Sequence, residues 1–475
     1  MKKTILILVA LALVVPTAAM AATEFSLGGF IKLETMWDSS NVNKDVISKI
    51  FRDNDPLNRH GRFREVATFT RINFTIKGPK LWGAQVTGLL EADWDATGGA
   101  VPPNAAESAD TGAFRLRHAM FRLNWPETQL LIGQYWSFLS EFSPEVAQDS
   151  GFQFRGAFSR RLAQISITQK FLGAWTAGFL IGTPRLGTSL EPTVGTASQD
   201  ERAETPYLEA KLRYEQDLWG KAAYYRKPQA FTAQVAAAWQ RTNIAAVTRQ
   251  AATTWGQNSY GDFATFVTSD HRYVNHWSVQ GTLFIPVIPT PSANLAGTAA
   301  ILTQWSIGQG QSFVGATWAT DDAFYQVRNL NPNGTIYDYD RILTPSLTGW
   351  VQAQYYFTND WFLTTVWGYM RKYGLGFDRV FPGGPFNYAT VGQTAQVNGG
   401  NNDLTKYSNQ ITTTLWYRPI EAIKFGLGYT YTRDVYFQKT GYTVAGAFTG
   451  NTANSSQFRD VGENHRLEFV GIYYF

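Results

Sequence analysis

Arginine at two-residue spacing, Arg115 and Arg117, is the sharpest chemical feature of this sequence. On an extended chain two residues apart means one face, so the pair sets two permanent positive charges side by side. Arg71 precedes them, and Arg160 and Arg161 follow. Between these basic positions, the stretch Phe138 to Ala157 carries Glu141, Glu145 and Asp149 together with Arg155. Fixed charges of this kind sort passing ions and charged solutes by sign. A guanidinium facing hydrocarbon would cost ~2–4 kcal/mol, so on a membrane strand these arginines must face inward or sit near a rim. Two roles are open to them: an uncompensated ladder that attracts anions, or ion pairs with Glu65, Glu91 and Asp93 on neighbouring strands.

The residues that catalysis would need are poorly arranged. The five histidines (His60, His118, His271, His276, His465) never fall in HxxxH or HExxH spacing, which leaves no zinc signature. No GxSxG elbow occurs, and no glycine-rich phosphate loop precedes a helix. With no Cys there is neither thiolate chemistry nor a disulfide. No catalytic residue, metal or cofactor is therefore expected. A Ser, His and Asp or Asn brought together by folding would make a lipid-modifying enzyme, which stands as an alternative.

These charges need elements to hold them, and the chain supplies strands. Lys2 and Lys3, the apolar run Ile5 to Val15 and then Ala19-Met20-Ala21 read as a secretory signal peptide over 1–21, cleaved after Ala21. Its loss removes two lysines and no acids, leaving 39 basic against 37 acidic residues, a balance that does not suggest nucleic-acid binding. Beyond it no run of 18 apolar residues occurs, so no transmembrane helix is expected, and only a barrel could still be membrane-embedded.

Alternation with period two is what marks the barrel. In Phe25 to Trp37, Leu27, Gly29, Ile31 and Leu33 oppose Lys32 and Glu34. In Val66 to Lys77, Val66, Ile72, Phe74 and Ile76 oppose Arg71, Asn73 and Thr75, and a turn is expected at Gly78-Pro79. In Ala84 to Trp94, Val86, Leu90 and Trp94 oppose Gln85, Thr87, Glu91 and Asp93. Further strands are expected near 113–124, 128–137, 159–170, 174–182, 206–216, 230–241, 276–286, 295–307, 346–357, 361–372, 405–418, 422–434 and 463–475, for sixteen in all. A β-sandwich would show the same alternation, but it has no reason to alternate short turns with long polar loops, as this chain does. Short periplasmic turns and long extracellular loops follow from that alternation. Aromatic residues make up 15% of the chain, with 16 Trp and 23 Tyr, a stock suited to two interfacial girdles. Two places resist the pattern: the alternation in 113–124 breaks at Ala119, and Tyr224 and Tyr225 fit no strand.

Several short pieces in order carry a family resemblance: Gly29-Phe30-Ile31-Lys32-Leu33-Glu34, Thr70-Arg71-Ile72-Asn73-Phe74, Leu90-Glu91-Ala92-Asp93-Trp94, Leu116-Arg117-His118-Ala119 and Ile132-Gly133-Gln134-Tyr135-Trp136-Ser137. The stretch from Gly29 to about Arg161 resembles the DcaP-like family of trimeric bacterial outer-membrane porins. The resemblance implies a sixteen-stranded homotrimeric channel with a basic constriction, passing small anionic solutes such as dicarboxylates. It also implies an inward-folded loop near 138–157, as in general porins, whose carboxylates would line the constriction. The last strand ends Leu467, Phe469, Gly471, Tyr473, Phe475, and the terminal Phe475 resembles the signal read by the barrel assembly machinery.

The reading is thus an all-β transmembrane antiparallel barrel over 22–475 in the outer membrane, in contact with lipid and lipopolysaccharide, acting as a diffusion channel for small hydrophilic solutes and favouring anions. A non-conducting scaffold barrel is the main rival. A TonB-dependent transporter is not expected, because no plug domain of ~150 residues precedes the first strand.

Overall fold

The structure, a computed structural model, describes residues 23–42, 60–96, 112–148, 154–184, 205–244, 272–292, 294–315, 323–330, 336–343, 345–373, 405–436 and 461–475, with positions 47, 50, 53 and 58. The expected signal peptide, Asp149 and most of the long loops lie outside the described residues.

Sixteen antiparallel strands close into one barrel: β1 (Glu24–Asp38), β2 in two pieces (Arg62–Val66 and Arg71–Leu81), β3 (Ala84–Ala96), β4 (Ala113–Asn124), β5 (Thr128–Trp136), β6 (Arg161–Phe171), β7 (Trp175–Gly182), β8 (Tyr207–Gln216), β9 (Phe231–Ile244), β10 (Arg272–Ile288), β11 (Ala299–Gln309), β12 (Pro345–Tyr356), β13 (Trp361–Lys372), β14 (Thr405–Ile420), β15 (Ile423–Tyr436) and β16 (Val461–Tyr474). Each strand pairs with the next in sequence, and β1 closes the ring on β16 through registers such as Leu33↔Gly471. Beyond β16 the chain still pairs, for Phe475 and Gly29 exchange both backbone hydrogen bonds at 3.1 and 3.2 Å. Closure leaves no free strand edge, the condition for placing strands in hydrocarbon. No helix among the described residues is long and apolar enough to cross a membrane.

The side chains are arranged inside out. On β14, Ile411 and Leu415 are exposed while Ser408, Gln410, Thr412 and Thr414 are buried. The same inversion runs around the ring, with Leu27 60% and Leu427 61% exposed but Gln304 and Asn464 fully covered. At ~25 cal/mol per Å2 of apolar surface left in water, such an exterior is stable only in an apolar surround. Outward aromatics stack towards the end that carries the short turns, as in Trp361 on Tyr417 at 4.3 Å, and again towards the other end, as in Tyr369 with Tyr407. These are the two belts for which the aromatic stock was expected.

Three local expectations are corrected. β2 is not one strand turning at Gly78-Pro79: it breaks at Ala67–Thr70, runs on to Leu81 and turns at Trp82-Gly83. Both turn residues have positive φ, the pattern of a two-residue hairpin that matches strand twist. The break also shifts the alternation, so Val66 faces inward with Met36 and Phe69 while Ile72, Phe74 and Ile76 stay outside. In β4 a bulge explains the broken alternation: Glu91 pairs with His118 and Ala92 with Leu116, leaving Arg117 as the extra residue. Tyr224 and Tyr225 belong to a small hairpin (Ala222–Tyr224 and Lys227–Gln229) within the β8–β9 connection. The alternation has no strand for these two tyrosines because the hairpin is not part of the barrel wall.

Candidate functional site

The strands β2 to β6 hold a compact cluster of arginines on the inner wall. Arg115 grips Asp93 with both prongs, Nε to Oδ1 at 2.8 Å and Nη2 to Oδ2 at 2.7 Å, and reaches Asp95 at 2.8 Å. Arg117 bonds Glu91 at 2.8 Å and Asp93 at 2.6 Å. Arg71 stands 3.6 Å from Glu91. The bulge buries both Arg117 and His118, and it brings the His118 Nε2 to 3.7 Å from the same Glu91 carboxylate. Of the two roles left open by the sequence, the structure places Arg115 and Arg117 in the ion-paired one. Glu65 takes no part: it faces outward on the first piece of β2 and accepts a hydrogen bond from Thr35.

Arg122 and Arg161 complete the cluster differently, by lying on aromatic faces. Arg122 sits 4.4 Å over the Tyr135 ring, and Arg161 sits 5.0 Å over Trp136, which Arg117 also approaches at 5.8 Å. Buried Nε of Arg122 and Nη1 of Arg161 have no hydrogen-bond partner among the described residues. Counted together, Arg71, Arg115, Arg117, Arg122 and Arg161 face Glu91, Asp93 and Asp95. Among the described residues the guanidiniums of this cluster outnumber the carboxylates.

The connection from β5 to β6 runs across the interior and lies against the rest of the wall. It starts with a 3-10 turn, Phe138–Ser140, whose backbone is held by Glu209, Gln234, Gln280 and Gln304. Further along, Glu145 N donates to Gln352 at 2.6 Å, its carbonyl accepts from Thr364 at 2.8 Å, and its carboxylate pairs with Lys424. Arg155 donates to Ser408 at 2.7 Å and pairs with Asp434 at 3.2 Å, all nearly fully buried. Phe142, Phe154 and Ala157 pack with Phe284, Leu302, Trp350 and Val366 into an apolar core inside the barrel. Backbone meets backbone where glycines allow it: a Cβ on Gly368 would stand 2.0 Å from the Arg155 carbonyl oxygen, and one on Gly156 2.0 Å from that of Gly349. The segment thus covers β8 to β15 and leaves part of the arginine cluster of β2 to β6 open, with Arg115 28% and Arg71 16% exposed at the side chain while Arg117 is buried.

The residues singled out from the sequence separate into groups. Arg71, Arg115, Arg117 and Arg161 come together, whereas Arg160 turns away to the Phe313 and Thr183 carbonyls and stacks on Tyr207 at 3.9 Å. Glu141 pairs with Lys211 and Glu145 with Lys424, so each carboxylate has a lysine partner. Lys211, Arg122, Lys424 and Asp434 were not picked out, although the first two sit at alternating polar positions that the strand pattern exposes. Nothing in local spacing couples Lys424 to a carboxylate 279 residues away.

No family model matches the chain, and no curated protein matches it either. Solved structures do. The outer membrane channel DcaP of Acinetobacter baumannii superposes with a TM-score of 0.61 over 96% of this chain and 98% of that one, at 17% identity. This chain has a porin fold. An anion-selective porin from Comamonas acidovorans gives a TM-score of 0.50 at 11% identity, covering 95% of this chain and all of that one. The likeness to DcaP, read from pieces between Gly29 and Arg161, extends in fold over the whole porin barrel.

Proposed function

We propose that this porin-fold chain is an outer-membrane diffusion channel for small hydrophilic solutes, with a modest preference for anions such as small carboxylates. The observation that carries the reading is the divided inner wall: one side sealed by the β5–β6 segment, the other lined by partly open arginines in excess over carboxylates. The segment then acts as a constriction loop, with Glu141 at its edge. Two surplus charges about 8 Å from a passing ion contribute roughly 0.5 kcal/mol each in a water-like dielectric, which enriches a monovalent anion about fivefold over a neutral solute. The Comamonas porin named above is anion-selective, which agrees with this sign. Single-channel conductance in planar bilayers, with the reversal potential under a KCl gradient, tests both parts. A protein that forms no conducting unit would favour the scaffold barrel, and a reversal potential of the cation-selective sign would remove the anion preference.

The assembly belongs to the same proposal. Residues 1–21 direct export and are cleaved, the assembly machinery reads Phe475, and the loop end meets lipopolysaccharide. Deleting Phe475 is expected to reduce insertion in cells, and equal outer-membrane levels of the shortened protein would remove that role. A trimer is supported by polar groups on the outer face around the β1–β16 seam. There Tyr429 bonds His465 at 2.7 Å, Tyr431 bonds Glu463 at 2.7 Å and Thr35 bonds Glu65 at 3.2 Å. Such groups are costly against lipid and ordinary against protein. Cross-linking in mild detergent that gives only monomer would count against it.

A further inference from the structure

The hairpin Ala222–Gln229 enters the barrel from the short-turn end, while the constriction segment enters from the opposite end, and the two meet inside. Its turn carries Tyr225 and Arg226 at φ 45° and 63°, a left-handed pair that non-glycine residues adopt only when the surroundings hold them there. Its base is fixed by reciprocal backbone bonds between Lys221 and Thr290, at 3.1 and 2.7 Å. Ala222 and Ala223 are buried against inward-facing residues of the wall.

The contact itself is a pair of phenols. Tyr224 accepts from Ser143 N at 3.2 Å and donates to Ser143 O at 3.3 Å. Tyr225 donates to Pro144 O at 3.0 Å and lies 3.1 Å from Ser143 Oγ. Tyr224 also packs on Phe142 at 5.7 Å and on Phe284 at 6.2 Å, so its ring bridges segment and wall. Tyr224 is half-buried and Tyr225 is 37% exposed, and desolvation of the two hydroxyls against the segment holds both above the ordinary tyrosine range, so they remain protonated donors. Ser143 and Pro144 sit in sequence between Glu141 and Glu145, the two described carboxylates of the segment.

We propose that Tyr224 and Tyr225 are positioning residues that fix the width of the channel by clasping the constriction segment at Ser143 and Pro144. The inference rests on the channel reading, but it makes a separate claim: the segment is held not only by the wall behind it but from below, by a hairpin inserted between β8 and β9, where β2 and β3 are joined by the two residues Trp82-Gly83 alone. Losing the clasp lets the segment leave the wall it covers or swing toward the arginines. The open state then loses its single conductance value.

Two measurements on the full chain separate this claim from the channel reading. In a Tyr224→Phe, Tyr225→Phe protein, both rings remain and the hydroxyls are gone. Amide exchange at Ser143 is expected to rise by about tenfold, as for any amide that loses a buried acceptor. Single-channel records are expected to show several conductance levels where the wild type shows one, with closure at lower voltage. Replacing residues 222–229 by a two-residue Asn-Gly turn is expected to raise conductance by about twofold, provided that the barrel still migrates as folded before heating. Unchanged exchange at Ser143 would overturn the clasp. Faster exchange with wild-type conductance in both variants would overturn its control of width. A wild-type protein that conducts nothing would overturn the channel reading while the exchange result still reports on the clasp.

Discussion

Arg155 and Arg115 face the same interior and have opposite circumstances. Arg155, in the constriction segment, is nearly fully buried, with Asp434, Ser408 and the Ile47 carbonyl around it. Arg115, on β4, is bidentate to Asp93 but keeps 28% of its side chain open. Arg155 and its described counter-ion Asp434 are buried together, so the pair serves to fix backbone position. Around Arg115 the carboxylates are outnumbered and solvent reaches the guanidiniums, so a field remains for a solute to sense. The difference teaches that charge in this barrel fixes the segment where it covers the wall and, on the proposed channel reading, acts on solutes where it does not.

The largest effect that could sharpen this contrast is expected at the buried pair. Asp434→Ala leaves the Arg155 guanidinium without its counter-ion and is expected to cost about 3–5 kcal/mol of folded stability, read from urea unfolding in lipid vesicles. A loss below 1 kcal/mol would mean that the pair is solvated and the division of the wall is wrong. Gly368→Leu tests the same side through volume alone, since its Cβ would overlap the Arg155 carbonyl. The segment is expected to be displaced, and conductance to change by about half or more, with barrel folding retained because the strand's own pairing is untouched.

On the open side the expected effects are smaller and electrostatic. Arg122→Ala with Arg161→Ala removes the two guanidiniums that rest on aromatic rings rather than on carboxylates, and each is expected to reduce the anion preference about twofold. Arg115→Ala is expected to move selectivity toward cations by a similar factor, since it uncovers Asp93 and Asp95. If Lys424→Met, on the covered side, moves the reversal potential as far as these changes do, the contrast fails. Salt acts on the same side without any substitution: between 0.1 and 1 M KCl the screening length falls from about 10 to 3 Å, so anion preference should fall while the Asp434 result stays the same.

Of this arrangement, the strands were legible because alternation is a local property: a strand with one face in an apolar surround and one in a polar interior must repeat every two residues. That is why sixteen strands and the inward direction of Arg71, Arg115 and Arg117 followed from the sequence. The same logic misplaced Val66 and stalled at Ala119, since a break at Ala67–Thr70 and a bulge at Arg117 each shift the alternation without altering composition. Tyr224 and Tyr225 had no place in any strand, and their role needs Ser143, which comes from the other end of the barrel.

What the sequence by itself determined, then, is the barrel, its polar interior and the existence of a basic inner face, all of which depend on residues near one another in the chain. Only the tertiary structure decided how those charges are matched. Arg160 and Arg161 are adjacent in sequence yet serve different neighbourhoods, one against the Phe313 carbonyl and the other beside Arg117 over Trp136. Glu145 meets Lys424, and Arg155 meets Asp434, across 279 residues each. The physical reason is that a field depends on distances between groups, and in a closed barrel those distances are set by ring closure and by where the interior segment comes to rest.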